Sequence, residues 1–592
     1  MKPFLKVLLF SFFPTAIAGP ALAGTPTTGP APVIQYLDQG WDEATRQAFY
    51  TTGQGSHMMP YAWFKALRRL DKDEPFGADQ LQRYGYIANE KAGDGLPIGF
   101  VIDAASGDLG MTCAACHTAQ IEYRKNGATQ VLRIDGAPAT ANFQLFLTEL
   151  TTAARATESD AARFDAFAHA VLGSQYSAAG ANALKSKFAD WVDQFGSFMD
   201  ESLPASSPWG PARLDAFGMI FNRVSGKDLG IPDNIKVADA PVSYPFLWNA
   251  SKQDKTQWNG GVPNGLYIHA LGRNTGEVFG VFADFGPTAP LPSIPGLPPV
   301  IDYTSKNSVN FRNLQFLEEK IASLKSPKWP FALDPALVEK GKGLFESNCK
   351  SCHDRTDSRD VPGAWATPVV AAGTDPRMFD NATNRMSHPG ILKGALVPDL
   401  PVQVLDDPAR TSDVLATAVV GTLINQVFPI PNPTSGVWLA VQKDLPVLFP
   451  PLKDAPLPLL VANPAVLGAL RTKIENQLTN MFRPPAPDAP AAYESRVLYG
   501  IWATAPYLHN GSVPNLWELL LPPERRSPSF MVGSRKYDID KVGYVTTETP
   551  YKDGTLVVGP GAAPGNSNAG HDYTQNLTDD DRKALLEYLK SL

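Results

Sequence analysis

Cysteine is scarce, with four residues in a chain of 592. At most two disulfides could form, too few for a scaffold held by disulfide staples. Basic residues are outnumbered, 52 Lys and Arg against 59 Asp and Glu, for a net charge of −7. No basic patch rises from that balance, which excludes nucleic acid as a partner. Charge of either sign is sparse, at 19% of residues against the usual ~25%. Long alternating Val/Ile/Thr runs are also missing, so strands should be few. Beyond the N-terminus no apolar run reaches eighteen residues, which leaves the mature chain without a membrane span. The glycine-rich stretch 559–565 lacks the strand-to-helix context of a phosphate loop. What is plentiful is hydrophobic residues, 44% of the chain, enough for packed cores and, at this length, more than one domain. The 54 prolines and 48 glycines make up roughly 17%, below a low-complexity composition but enough for many turns and long loops.

The first residues read as a targeting segment. Lys2 and Lys6 form a positive region, Val7 to Phe13 a short apolar core, and Ala21-Leu22-Ala23 a cleavage site before Gly24. The expectation is a signal peptide over 1–23 and a periplasmic or secreted protein, whose net charge falls from −7 to −9 once both lysines are removed.

Export makes cysteines candidates for disulfides, yet all four fall in two identical patterns, Cys113-Ala-Ala-Cys116-His117 and Cys349-Lys-Ser-Cys352-His353. Cys-x-x-Cys-His is the attachment signature of c-type haem. Two thiols three positions apart can add to the two vinyl groups of one porphyrin, and the adjacent imidazole becomes the proximal iron ligand. A four-cysteine zinc site, two redox-active pairs or structural disulfides are the alternatives. None of them explains a histidine after both pairs. Two covalently bound haem c groups are therefore expected, and a bound calcium is left open.

The motifs divide the chain. Residues 24–325 hold the first, and Ser326-Pro327-Lys328-Trp329-Pro330 forms a stiff junction. In 331–592, Asp334 reads as an N-cap with Pro335 at the first helical position, ahead of Leu337, Val338, Leu344 and Phe345 on one face. The chain closes on Thr578 as N-cap, three aspartates in the first turn, then Leu585, Leu586, Leu589 and Leu592 at helical spacing. This pair resembles the crossing end helices of a class I cytochrome c. Around the first motif the spacing predicts packing helices over Ala156–Val171 and Val309–Leu324, and proline clusters at Gly286–Pro299, Phe449–Pro464 and Pro484–Pro490 predict loops. The fold class is mainly α: two cytochrome c-type haem domains with long Pro/Gly-rich loops and few short strands.

What faces each iron opposite its proximal histidine separates an electron carrier from an enzyme. Six histidines remain as candidates, with ten methionines. His169 lies in the apolar stretch Phe164–Val171 and reads as a core or interfacial residue. His57 and His388 read as ordinary, partly exposed loop residues.

The segment Pro506-Tyr507-Leu-His509-Asn510-Gly511 resembles the P-Y-x-H-[DN]-G fingerprint of bacterial dihaem cytochrome c peroxidases and their MauG-like relatives. Pro245-Phe-Leu-Trp248-Asn249 and Gln257-Trp258-Asn259-Gly260 are similar to that family's P-x-L-W-N and F-W-D-G segments, departing at Gln257 and Asn259. The resemblance implies that Trp258 lies between the haems. It further implies that Glu277, some twenty residues on, works as acid–base group at the first haem, with Arg273 stabilising developing charge. His269, near that segment, takes a supporting role. The family's second haem draws its sixth ligand from the loop before the last helix. Here that loop carries no Met but holds His571, the expected ligand, with His509 the rival. The implied reaction is reduction of hydrogen peroxide with electrons from a small donor protein, a cytochrome c or a cupredoxin.

A second branch has the same architecture. Dihaem rubber oxygenases, whose second haem is also bis-histidine, cleave an apolar alkene with dioxygen in a pocket without a catalytic carboxylate. Loops such as Pro290–Pro299 could line such a channel. A pure dihaem electron carrier is the third reading.

Overall fold

A computed structural model describes residues 33–292, 297–397, 404–428, 435–450, 464–478, 481–482 and 489–592. Residues 1–23, expected to be a signal peptide, lie outside the described residues, as does most of the proline clusters at 449–464 and 484–490. Within them the chain is mostly helical, with few short strands.

The longest strands, Thr118–Lys125 and Ala128–Asp135, pair antiparallel. Asn126 and Gly127 join them, both at positive φ, the two-residue turn whose twist matches its flanking strands. Ile34–Tyr36 adds in parallel on the other edge. His117 sits immediately before the first of these strands, so the sheet anchors the first motif.

Both motifs have the same local backbone. Cys113–Ala115 is a single helical turn capped by Thr112, and Lys350–His353 is another. In each, the histidine N–H donates to the carbonyl of the first cysteine at 3.0 Å. One turn therefore presents two thiols and an imidazole together.

The predicted end helices run Pro335–Asn348 and Asp579–Ser591. Asp334 accepts from Ala336 and Leu337 N–H, and Thr578 and Asp581 form a reciprocal capping box. The helices cross at Gly341, where a Cβ would lie 2.0 Å from the Ala584 carbonyl oxygen. Only glycine permits that approach of one backbone to another.

Two expectations about helices change. The helix predicted over Ala156–Val171 is broken: Phe143–Ser159 ends at Asp160, whose side chain caps Ala161–Leu172 by accepting from Arg163 N–H. His169 is not in a core. Its side chain is 55% exposed, stacked on Tyr176, because the buried face of that helix is Phe164, Phe167 and Ala168. Phe311–Ser323 forms as predicted, within two residues at its start and one at its end.

Packing crosses the two sequence halves. Thr411–Val427, Gly436–Leu448 and Pro464–Leu478 follow the second motif, yet they pack on Tyr267–Gly280, and Gly436–Leu448 also on Phe311–Ser323, from the first half. Leu271, Val278, Leu314, Leu423, Trp438 and Ile474 share one core. Thr411–Val427 is buried on most sides, with small hydroxyl residues such as Thr417 and Thr422 among its apolar ones. A second core joins Ile121 and Ile134 of the sheet to Trp248, Trp502, Phe345 and Leu585.

Candidate haem sites

Each motif opens onto a large cavity. The first is lined by Cys113, Cys116 and His117; the second by Cys349, Cys352 and His353. All four thiols are free of disulfides. The two proximal imidazoles are fixed alike: Nδ1 of His117 donates to the Pro245 carbonyl and Nδ1 of His353 to the Arg496 carbonyl, each at 2.8 Å. That bond leaves Nε2 as the free nitrogen and sets the ring's orientation. Burial holds His117 neutral, lowering it to about 4, and pushes His353 down as well. A neutral imidazole is what a metal ion requires. Paired thiols, a neutral imidazole and a mostly apolar wall fit a covalent haem c at each motif.

The opposite faces differ. In the second cavity the ring of His571 lies 6.3 Å from that of His353, centre to centre. Two imidazoles on one metal ion through bonds of about 2 Å have ring centres roughly 6 Å apart. His571 adopts a left-handed backbone, φ 50°, and its N–H donates to the Ala372 carbonyl at 2.8 Å. His509 also lines this cavity, but its ring stacks on Tyr493 at 3.7 Å.

No second histidine lines the first cavity; the thioethers of Met111 and Met219 do. Most of its wall is apolar, with Phe143, Leu214, Ile220, Val242 and Val281 among the lining residues. One corner is polar. Glu277, on the Tyr267–Gly280 helix, faces the cavity, and its Oε1 accepts from Gln257 Nε2 at 2.9 Å. Burial raises its pKa, opposed by Arg273 at 3.8 Å and by the Gln257 hydrogen bond. Gln257 has a positive φ of 65°, an uncommon conformation for a residue with a side chain. The guanidinium of Arg273 is already engaged by buried Glu318 and by Asn264 Oδ1 at 2.9 Å. Much of its charge is therefore neutralised before any substrate arrives.

Trp258 lines both cavities. Its Nε1 donates to the Ser243 carbonyl at 2.9 Å, and its own carbonyl accepts from Glu494 N–H at 2.7 Å. Glu494 and Arg496 belong to the same shared wall.

Other histidines lie elsewhere. His269 is buried but lines neither cavity. His57 is partly exposed and bonded to Asp284 at 2.7 Å; His388 is exposed against Asp407. The described ends of the Pro290–Pro299 loop are also exposed, Leu291 at 59% and Leu297 at 62%. They line no channel at the first motif. Residues 293–296 lie outside the described residues. Among the described residues, no group of three His, Cys, Asp or Glu side chains is arranged to hold a metal ion such as calcium, and no helix is long and apolar enough to cross a membrane.

Sequence reasoning missed Gln257 as the partner of Glu277, Glu318 as the partner of Arg273, and the carbonyls of Pro245 and Arg496. Pro245 had a signal, since it opens the Pro-x-Leu-Trp-Asn segment. Glu318 had none, because the Arg273 contact spans 45 positions.

A family model described as RoxA-like, cytochrome c-like matches residues 492–530. This supports a relationship to the rubber-oxygenase-related cytochrome c proteins, and with it haem c and redox chemistry. An uncharacterized protein of Sinorhizobium fredii (strain NBRC 101917 / NGR234), y4iJ, is 29% identical over 629 residues, covering 94% of this chain and 93% of its own length. A second from the same strain, y4iM, is 27% identical over 375 residues, 59% of this chain and 64% of that protein.

Proposed function

We propose that this chain is an exported dihaem c-type oxidoreductase of the rubber-oxygenase kind, which uses dioxygen at its first haem to cleave a double bond of an apolar substrate. The observation that carries the reading is the first cavity, apolar over most of its wall and with one histidine only. The RoxA-like match at 492–530 points the same way. The haem supplies an iron that can take up an oxygen species. Phe143, Leu214, Ile220 and Val281 receive the hydrocarbon and exclude water. Cleavage breaks one carbon–carbon double bond and forms two carbonyl groups from the two oxygen atoms, so it consumes no external electrons. His353 and His571 would hold the iron of a second haem, which would supply electron storage, and Trp258 stands in the wall shared by the two cavities. The N-terminal segment 1–23 supports export; a small cytochrome or cupredoxin donor belongs to peroxide reduction.

Glu277 favours a second reading, reduction of hydrogen peroxide. A carboxylate opening onto the first cavity can take a proton from one peroxide oxygen and return it to the other as the O–O bond breaks. Two electrons and two further protons then yield two waters, the electrons arriving through the second haem.

Incubation with a polyisoprene oligomer under ¹⁸O-labelled dioxygen tests the choice. Labelled carbonyl ends on shortened chains are the result expected. Intact oligomer, together with peroxide-dependent oxidation of a reduced cytochrome, would replace the first reading with the second.

A further inference from the structure

We propose that Arg526 is the positioning residue for the sixth ligand of the second haem, clamping the loop that carries His571 and keeping that haem closed to outside ligands. The inference rests on His571 being that ligand.

Arg526 is 5% exposed. Its guanidinium donates to the carbonyls of Asn568 at 2.6 Å, Gly570 at 2.9 Å and His571 at 3.2 Å, all on the ligand loop. Its remaining bonds go to Leu521 and Leu519 carbonyls, at 3.2 and 3.5 Å, which tie the clamp to the body of the domain. Among the described residues no carboxylate forms an ion pair with it. Burial lowers its pKa only to about 10, so it stays charged at neutral pH. Asp572, Glu524 and Glu518 attract it from beyond ion-pair distance, and a buried cation without a directly paired carboxylate is unfavourable unless its hydrogen bonds compensate. Five carbonyls accepting from one guanidinium supply that compensation, and charge-assisted bonds of this kind are the stronger ones.

The loop needs such a clamp. Residues 566–573 have no helix or strand of their own, and His571 holds a left-handed backbone that residues with a side chain rarely adopt unless their surroundings impose it. The opposite side of the loop is held by the fingerprint segment. Asn510 Nδ2 donates to the Gly565 and Ser567 carbonyls at 3.0 and 2.8 Å, and Ser512 Oγ to Ser567 at 2.9 Å. The Asn next to His509, rather than His509 itself, therefore reaches the ligand loop. Asn510, Ser512 and Arg526 all fall within the 492–530 segment, which becomes a cradle for a ligand some forty residues beyond it. Lysine could not replace Arg526, since a single ammonium cannot reproduce the planar fork.

The test uses the full chain with both haems attached, comparing wild type, Arg526→Gln, Arg526→Lys and His571→Ala by optical and EPR spectra and by carbon monoxide binding after reduction. His571→Ala should turn the second haem high-spin and open to carbon monoxide. Both Arg526 variants should raise the open fraction of the second haem on the order of tenfold, Gln more than Lys. If Arg526→Gln fails to load haem, Asn510→Ala loosens the same loop from its other side and should give the same gain. A second haem that stays low-spin and inert to carbon monoxide in these loop variants, while His571→Ala opens it, overturns the clamp. A low-spin second haem in His571→Ala overturns the ligand assignment instead, and the clamp with it.

Discussion

The cavity at Cys113–His117 and the cavity at Cys349–His353 start from the same Cys-x-x-Cys-His pattern, a single helical turn and a backbone carbonyl, of Pro245 or Arg496, that holds the imidazole Nδ1. They share a wall containing Trp258, Glu494 and Arg496. Across from His353 stands a second imidazole, His571, at 6.3 Å, on a loop bound by a buried arginine. Across the first cavity stand an apolar wall and one polar corner, Gln257 with Glu277. On the proposed reading, the same attachment pattern serves two tasks, and residues far from the motif decide which. A filled second coordination site makes a carrier, and an unfilled one makes a reaction chamber.

The bluntest way to break the comparison is to remove either attachment pair. Cys113→Ala with Cys116→Ala, or Cys349→Ala with Cys352→Ala, should each halve the covalent haem content measured by pyridine haemochrome, and only the first pair should abolish oxidant binding in what remains. Next in size is Glu277→Gln. If the polar corner moves protons, peroxide turnover should fall by ~10²–10⁴-fold with both haems and their spectra retained; alkene cleavage should lose far less, which separates the two activities. Gln257→Leu sharpens the same corner. The Gln257 hydrogen bond opposes the burial that raises Glu277, so its loss should push Glu277 further up. Because the proton-accepting form is the carboxylate, the rising limb of the peroxide pH–rate profile should then move to higher pH; an unmoved limb would take Glu277 out of the mechanism. The smallest effect is expected for Trp258→Phe, which keeps a ring in the shared wall but loses the bond to Ser243. Stopped-flow should find slower electron exchange between the haems with unchanged carbon monoxide binding at each.

The features legible from sequence are those fixed by local spacing. Both Cys-x-x-Cys-His turns and the caps at Asp334 and Thr578 depend on neighbours within four residues, and the helices form accordingly. His169 misled for a related reason: its flanking alanines and phenylalanines are apolar, but only one face of the Ala161–Leu172 helix is buried, and His169 is off it. The Asp160 cap split a helix that apolar periodicity alone had run together. Contacts between distant segments carried no local mark. Gln257 meets Glu277 across 20 positions, Arg273 meets Glu318 across 45, and Arg526 reaches His571 across 45. Helices from 411–478 return to pack on the first half through apolar faces that any core could have received.

The division of labour between the cavities is tested most directly by titrating the fully reduced native protein with carbon monoxide, following each haem by its optical and magnetic circular dichroism bands. Binding at the haem on His117 alone, with the haem on His353 remaining low-spin throughout, is the outcome that two differently closed cavities require. Binding at neither haem, or at both, would contradict it.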